Sequence, residues 1–210
     1  MKQINNLQFI TASAEQAEQA CAGGVRWVQL RVKNLAYAEW KQRALATQQV
    51  CQRYGATLII NDNPQLAVEI GADGVHLGKE DMAPTEARAI LGPDFIIGGT
   101  ANTFADVERL EAAGVDYIGL GPFRFTATKE KLSPILGLTG YELLLGQCRA
   151  AGITTPIVGI GGITLADVSP LVATGLHGVA VSGAISASPD PATTALAFLE
   201  RLPTLLPTSS

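Results

Sequence analysis

Short apolar runs of strand length recur along the whole chain, and each run is apolar on both of its faces. Strands of a parallel sheet that is covered by helices have this pattern, whereas half-exposed strands alternate between apolar and polar residues. The pattern predicts eight strands, namely Leu7–Thr11, Trp27–Arg31, Thr57–Asn61, Gly74–Gly78, Phe95–Gly99, Tyr117–Pro122, Pro156–Gly161 and Gly178–Ile185.

Alanine-rich segments with helical spacing lie between these runs. They are Ala14–Ala22, Tyr37–Tyr54, Pro84–Leu91, Thr103–Ala113, Gly140–Ala151, Leu165–Ala173 and Pro191–Leu202. Repeated alternation of strand and helix predicts an α/β fold, a (β/α)₈ TIM barrel, with a doubly wound sheet as the alternative. We expect a single domain over residues 1–203 and a frayed tail over residues 204–210.

Glycines recur where a predicted helix gives way to the next strand. They occur in the segments Ala22–Val25, Ile70–Val75, Ala112–Asp116 and Thr174–Val179. A glycine can take the left-handed conformation that commonly ends a helix. These segments are therefore predicted to form turns at the N-terminal end of the barrel, where they serve stability rather than chemistry.

Composition excludes several classes of function. The net charge of −4 argues against a broad nucleic-acid-binding surface, and the longest apolar runs are too short to cross a membrane. Cys21, Cys51 and Cys148 are widely spaced and match no zinc motif, so we expect reduced thiols in a cytoplasmic protein. Small molecules remain as the expected partners, and whether the chain forms a homo-oligomer stays open.

Polar residues follow most of the predicted strands, and in a barrel they would converge on the C-terminal rim, where barrel enzymes place their active sites. The polar residues are Arg31, Lys33, Asn61, Asp62, His76, Glu80, Asp81, Thr100, Asn102, Thr126, Thr128, Lys129 and Ser182, and the glycines of the same rim are Gly161, Gly162 and Gly183; Ser182 and Gly183 lie within predicted strand 8. We interpret His76 and His177 as structural, because each is a lone histidine.

The connection after predicted strand 6, residues 123–139, is longer than most strand-to-helix loops and has apolar anchors that argue against disorder. Arg124, Thr126, Thr128 and Lys129 offer donors to an anion such as phosphate. We predict a mobile lid that binds an anion, and the alternative is an ordinary solvated loop.

Three cations, Arg31, Lys33 and Lys129, would repel one another around an empty pocket, and a bound diphosphate would offset that repulsion. Asp62 and Asp81 follow adjacent strands and could share Mg²⁺, which commonly takes one or two carboxylates and completes its shell with water and phosphate oxygens. The alternative is that each aspartate caps the helix that follows it.

Glycine-rich segments at strands 7 and 8, Gly159–Ile163 and Val181–Gly183, resemble the phosphate site that many barrels build from their last two strands. No pair of nucleophile and base stands out elsewhere. The combination favours departure of a diphosphate, driven by electrostatic stabilisation of the leaving group, over covalent catalysis.

Motifs in a fixed order carry a resemblance that spans nearly the whole chain. They are Gln29–Lys33, Asn61–Asp62, Gly74–Met82, Gly121–Lys129 and Gly159–Ile163. Together they resemble the thiamine phosphate synthase family, whose members are (β/α)₈ barrels. The resemblance implies a transferase that joins a hydroxymethylpyrimidine diphosphate to a thiazole phosphate, with Mg²⁺ as cofactor and with thiamine phosphate and diphosphate as products.

The resemblance also implies the role of each residue. Gln29 contacts the pyrimidine; Arg31, Lys33, Asn61 and Lys129 hold the diphosphate, with Arg31, Lys33 and Lys129 as the catalytic cations; Asp62 and Asp81 bind Mg²⁺; Thr126, Thr128, Gly162, Ser182 and Gly183 hold the thiazole phosphate; and Thr100 supplies a further hydroxyl to the substrates. In the family the C–O bond breaks first, and the thiazole nitrogen captures the resulting cation.

Some positions depart from the family pattern. Ala12 stands where an aspartate is usual, Thr100 where a serine is common, and the usual Val-Ser pair of strand 8 aligns by offset with Ser182 and Gly183. Two alternatives remain. A related thiazole tautomerase carries a catalytic histidine after strand 6, where residues 121–139 have none. A catalytically silent regulatory relative would bind phosphate without turnover.

Overall fold

Eight parallel strands close into a barrel in the computed structural model, which describes residues 2, 4–125 and 134–204. The strands follow one another around the barrel in sequence order, and β8 pairs with β1. They are β1 Leu7–Thr11, β2 Trp27–Leu30, β3 Thr57–Asn61, β4 Gly74–Leu77, β5 Ile96–Ala101, β6 Tyr117–Leu120, β7 Ile157–Ile160 and β8 Gly178–Val181. The predicted (β/α)₈ barrel is confirmed, and the doubly wound alternative is wrong.

The helices form the outer layer. They are α1 Ala14–Ala22, α2 Tyr37–Tyr54, α3 Pro64–Ile70, α4 Pro84–Leu91, α5 Phe104–Ala112, α6 Gly137–Ala150, α7 Val168–Ala173, α8 Gly183–Ser186 and α9 Pro191–Arg201, and a 3₁₀ turn, Leu165–Asp167, precedes α7. None of the helices in these parts of the chain has both the length and the apolar character needed to span a membrane.

Two separate apolar cores explain why the strands are apolar on both faces. Alternate residues of each strand point outward or inward, because the side-chain period of a strand is two. In β2, Val28 and Leu30 pack under the helices, whereas Trp27 points into the barrel. In β6, Ile118 packs outward and Tyr117 inward. Each large side chain that is buried in this way contributes about 1.5–3 kcal/mol to stability.

The predicted glycine turns lie at the N-terminal end of the barrel. Gly24, Gly71, Gly114 and Gly175 all have positive φ, between 67° and 102°. The Gly71 amide donates to the carbonyl groups of Ala67 and Val68, which closes the last turn of α3. The prediction that these segments end helices in the left-handed conformation is confirmed.

The end of β8 differs from the prediction. The strand ends at Val181 rather than at Ile185, and Ser182 and Gly183 lie at the start of α8 rather than within the strand. Ser182, with φ −130° and ψ −85°, turns the chain out of the sheet. The amides of Ile185 and Ser186 then donate to the Ser182 carbonyl at 3.0 Å, which closes the first turn of the helix.

The predicted lid, residues 123–139, is described at residues 123–125 and 134–139. Its last three residues belong to the first turn of α6, so the prediction that residues 137–139 are part of a loop is wrong. The two ends of the lid meet, because the Leu136 amide donates to the Pro122 carbonyl at 3.0 Å and the Gly137 amide to the Phe123 carbonyl at 3.1 Å. Phe123 is buried and packs edge to face against Tyr141 of α6. The predictions for residues 126–133 and for the tail beyond residue 204 lie outside the described residues.

Candidate active site

The C-terminal ends of β2 and β3 place charged side chains on one rim. Hydrogen bonding between strands continues one residue past each strand end, since the Arg31 amide donates to the Thr11 carbonyl and the Asp62 amide to the His76 carbonyl, each at 2.8 Å. Arg31 is half-buried, whereas Lys33 and Asp62 are exposed. The backbone that carries the candidate ligands is therefore held by the barrel itself.

Asp62 has a left-handed backbone conformation, with φ +63°. Such a conformation costs a residue with a side chain on the order of 1 kcal/mol or more, and it concentrates at functional sites. Asp62 does not cap α3, because the Asn63 side chain accepts the Leu66 amide at 2.9 Å and serves as the N-cap. The helix-cap alternative for Asp62 is therefore wrong.

Asp81 does not cap a helix either. Helix α4 begins after Ala83, which provides no side-chain cap. The Asp81 carboxylate instead accepts the Gly78 amide at 2.6 Å, within a turn that directly follows β4. This turn places the Asp81 carboxylate beside Asp62, and the helix-cap alternative for Asp81 is wrong as well.

The two carboxyl groups are close enough to perturb each other. Although part of Asp62 is exposed to solvent, its pKa is raised well above the ordinary value by desolvation on the crowded rim, by a hydrogen bond with Asp81 and by the charge of Asp81. Arg31 and Lys33 act in the opposite direction and favour the charged form. The rim therefore gathers two carboxylates and two cations from β2, β3 and β4 into one polar group.

This group has the composition of a weak site for a hard cation rather than of a closed metal cage. Within residues 2, 4–125 and 134–204, no cluster of three or more His, Cys, Asp or Glu side chains could hold a metal ion. Two carboxylates suit Mg²⁺, which retains water and recruits phosphate oxygens from its substrate. The repulsion between Asp62 and Asp81 is the kind that a divalent cation relieves.

Below the rim, a chain of buried polar side chains crosses the barrel interior. Gln29 donates to the Gln8 side chain at 3.0 Å, and Gln8 donates to the Tyr117 hydroxyl at 3.1 Å. His76 lies 3.0 Å from that hydroxyl through Nδ1 and 2.9 Å from the Thr100 hydroxyl through Nε2. The interior chain thus links two predicted substrate contacts, Gln29 and Thr100.

Sequence reasoning did not include Gln8 or Tyr117 in the site. The signal available was a polar residue at an inward position of an otherwise apolar strand, as Gln8 and Gln29 are. His177 differs from the interior residues, because its Nε2 bonds to the Ile4 carbonyl at 2.9 Å near the bottom of the barrel. Asn61, which follows the same inward alternation, is also buried.

The end of β7 forms a turn with two glycines of positive φ, 97° at Gly161 and 67° at Gly162. A side chain would not fit there, because a Cβ atom on Gly162 would lie 2.9 Å from the Arg124 Cβ. Ser182 and Gly183 are exposed at the neighbouring start of α8, where the first helical amides have no partner inside the helix. We call Gly161, Gly162, Ser182 and Gly183 the glycine rim.

The Arg124 side chain is 48% exposed, but its guanidinium is already paired within the protein rather than left for an anion. Its Nη2 donates to Asp167 Oδ1 at 2.6 Å, and its Nη1 donates to the Gly162 carbonyl at 3.0 Å. The guanidinium also lies over the Phe123 ring, 4.6 Å from its centre. Thr126, Thr128 and Lys129, the other predicted donors of this connection, lie outside the described residues.

Known proteins resemble this chain along most of its length. A family model described as Thiamine monophosphate synthase matches residues 4–185. A thiamine-phosphate synthase of Phocaeicola vulgatus is 52% identical over 191 residues, which cover 88% of this chain and 92% of that protein. One from Bacteroides fragilis is 50% identical and covers 89% and 94%, respectively.

A solved structure gives the same result for the fold. The thiamine phosphate pyrophosphorylase of Pyrococcus furiosus superposes with a TM-score of 0.82 at 27% sequence identity. The match covers 93% of this chain and 94% of that protein.

Proposed function

The chain belongs to the thiamine monophosphate synthase family, and we propose that its barrel rim joins a hydroxymethylpyrimidine diphosphate to a thiazole phosphate. The observation that carries the assignment of the site is the gathering of Arg31, Lys33, Asp62 and Asp81 at adjacent strand ends. This group offers cations to a diphosphate and carboxylates to a divalent metal. The relatives that match over most of the chain are thiamine-phosphate synthases, which are transferases.

The diphosphate half of the site lies at β2 to β4. Arg31 can present a planar pair of donors to two phosphate oxygens, whereas Lys33 acts as a point charge. Asn61 adds an amide, and Lys129 would approach from the connection after β6. Stabilisation of negative charge by such fixed donors is commonly the largest contribution to catalysis when a charged group departs.

Asp62 and Asp81 would hold Mg²⁺. The mutual repulsion of the two carboxylates supports this assignment, because a shared cation would convert that repulsion into attraction. Bound Mg²⁺ would neutralise charge on the departing diphosphate. The left-handed backbone of Asp62 supports the assignment too, since it directs a carboxylate to the rim at a cost in stability.

The pyrimidine ring is oriented by the interior chain. Gln29 is 1% exposed and is held by Gln8, so its amide has little freedom to reorient. Thr100 is held by His76 in the same way. Two substrate contacts that are fixed before binding reduce the entropy lost when the substrate is positioned.

The reaction then needs no protein nucleophile. The bond between the pyrimidine methylene carbon and the diphosphate oxygen breaks, and both electrons leave with the diphosphate. The lone pair of the thiazole nitrogen forms the new C–N bond, which gives the thiazolium of thiamine phosphate. The protein holds the two substrates in line and excludes water from the cationic carbon.

The thiazole phosphate would bind at the glycine rim. Amides that are exposed at the start of α8 and beside Gly162 are suited to phosphate oxygens. Thr126 and Thr128 would add hydroxyl donors from the connection after β6. The two phosphate-binding regions would thus lie on opposite sides of the barrel mouth, with the reacting atoms between them.

Incubation of the purified chain with both substrates and Mg²⁺ tests this proposal. We expect thiamine phosphate and diphosphate to form together. If both substrates bind and neither product forms, the regulatory alternative is correct. If the chain interconverts thiazole isomers without joining them to the pyrimidine, the tautomerase alternative is correct, although no histidine lies in residues 121–139.

A further inference from the structure

Arg124 lies where the connection after β6 leaves the barrel, directly against the glycine rim. We propose that Arg124 and Asp167 form a clamp that holds the glycine rim in its phosphate-binding shape, and that Arg124 itself does not contact the phosphate. The clamp rests on the proposed function, because it assigns two positioning residues to the thiazole phosphate half of that site.

The side-chain contacts of Arg124 are the first argument for the clamp. The two terminal guanidinium nitrogens, Nη1 and Nη2, both donate to the Asp167 carboxylate, in the two-bond geometry that makes such pairs strong. One of them also donates to the Gly162 carbonyl. With Phe123 beneath it as well, the guanidinium is committed to protein groups on several sides.

Backbone contacts tie the same segment to the end of β7. The Phe123 amide donates to the Ile160 carbonyl and the Arg124 amide to the Gly161 carbonyl, each at 2.9 Å. The fit is close enough that a Cβ atom on Gly161 would lie 2.7 Å from the Pro122 Cβ. A shift of the connection would therefore shift the glycine rim with it.

Asp167 extends the clamp to the segment that follows the glycines. Its Oδ2 accepts the Thr164 amide at 2.8 Å and the Thr164 hydroxyl at 2.7 Å, which caps the 3₁₀ turn. One carboxylate therefore joins the start of the connection after β6 to the segment between β7 and α7. Hydrogen bonds from Arg124, and from the hydroxyl and amide of Thr164, outweigh desolvation and lower the pKa of Asp167 to about 2, so the carboxylate stays charged at neutral pH.

Direct phosphate binding by Arg124 fits the structure less well. The guanidinium would have to leave Asp167, whose side chain is 11% exposed, and a largely buried carboxylate would then lose its cationic partner. The charges of Arg124 and Asp167 also cancel, so the clamp adds no net charge to the glycine rim. Arg124 therefore acts by fixing the position of Gly162, and the backbone amides beside Gly162 donate to the phosphate.

Three single variants, the double variant Arg124→Met with Asp167→Asn, and one control test the clamp in the full chain. Arg124→Met keeps the aliphatic part of the side chain, and Asp167→Asn keeps the shape of the side chain. Arg124→Lys keeps the positive charge but lacks the planar pair of donors. Arg109→Met is the matched control, since Arg109 is similarly exposed and lies 3.6 Å from Asp106 on the outer helix α5. The measurement is KM for each substrate, together with kcat.

We expect Arg124→Met and Asp167→Asn each to raise KM for the thiazole phosphate by about tenfold or more, as loss of a supporting hydrogen bond does in other sites. KM for the pyrimidine diphosphate should stay within about twofold, and the double variant should be no worse than the worse single variant, because both residues act as one unit. Arg124→Lys should recover part of the loss, and Arg109→Met should change nothing.

Other outcomes overturn the clamp. A defect in Arg124→Met that is absent from Asp167→Asn would make Arg124 a direct phosphate ligand. Equal rises of both KM values would indicate general damage, and unchanged values would remove the clamp from the site. If the unaltered chain makes no thiamine phosphate, the proposed function fails separately. Calorimetric titration with thiazole phosphate then tests the clamp, and absent binding, or equal affinity in all variants, overturns it.

Discussion

Replacement of Tyr117 by phenylalanine removes one hydroxyl from the interior chain and keeps the ring that fills the barrel. Tyr117 is fully buried, and its ring packs edge to face against Trp27 at 4.7 Å. Its hydroxyl is the acceptor for Gln8 at 3.1 Å and lies 3.0 Å from His76. Tyr117→Phe therefore isolates the polar contribution of the chain from its packing.

The expected loss follows from these two contacts. A buried donor that loses its partner costs about 1–3 kcal/mol, and a neutral hydrogen bond contributes about 0.5–1.5 kcal/mol. We expect the free energy of unfolding of Tyr117→Phe to fall by about 2 kcal/mol, since the volume of the core is almost unchanged. Without the Tyr117 hydroxyl, the Gln8 side chain is held less firmly, and so is Gln29, which donates to it. We therefore expect a higher KM for the pyrimidine diphosphate.

Urea unfolding at neutral pH, followed by circular dichroism, measures the change. Tyr37→Phe is the matched control, because Tyr37 lies on α2, is 48% exposed and donates its hydroxyl to Glu69 on the surface. We expect this control to change stability by less than about 0.5 kcal/mol. Equal effects of the two variants, or a loss below about 0.5 kcal/mol for Tyr117→Phe, would refute the claim that the buried hydrogen bonds of the interior chain stabilise the fold.

Two further predictions concern carboxylates. Asp62→Asn and Asp81→Ala should each lower kcat by about 100-fold or more and weaken the dependence on Mg²⁺, while the fold stays intact. Asparagine is chosen at position 62 because it tolerates the positive φ better than alanine would. Wild-type turnover in both variants would refute the metal assignment. Acid should destabilise the protein, because hydrogen bonds from Arg124 and Thr164 lower the pKa of Asp167 to about 2 from an ordinary value of 3.8. This stability is complete above about pH 5 and is lost as the pH falls towards 2. Asp167→Asn should therefore reduce the loss between pH 5 and pH 2 by roughly 1 kcal/mol in urea titrations, and an unchanged loss would contradict the pairing.

The barrel was predictable because each strand carries its own evidence of burial on two sides. Trp27 and Val28 face different cores, and both are apolar, so the run that contains them could not be a half-exposed strand. The glycines that end the helices are equally local signals, as the positive φ of Gly71 and Gly114 illustrates. Local patterns of this kind recur around the barrel.

The side-chain contacts that shape the site could not be predicted from local sequence patterns. Gln8 and Tyr117 are 109 positions apart, and Arg124 and Asp167 are 43 positions apart, so only the closed barrel brings each pair together. The strand-like run through Ile185 also concealed α8, because Ile185 is buried in a helix as readily as in a strand. The grouping of charged residues at the ends of β2, β3 and β4 was predictable from the sequence, whereas the hydrogen-bond partners in the barrel interior and of Arg124 were not.

The ratio of the two products, followed in time, is the most direct test of the central claim. With the purified chain, both substrates and Mg²⁺, we predict that diphosphate and thiamine phosphate appear in equal amounts and that removal of Mg²⁺ by a chelator stops both. Release of diphosphate without thiamine phosphate, or no release while both substrates are bound, would contradict the assignment of this rim as the site where the two are joined.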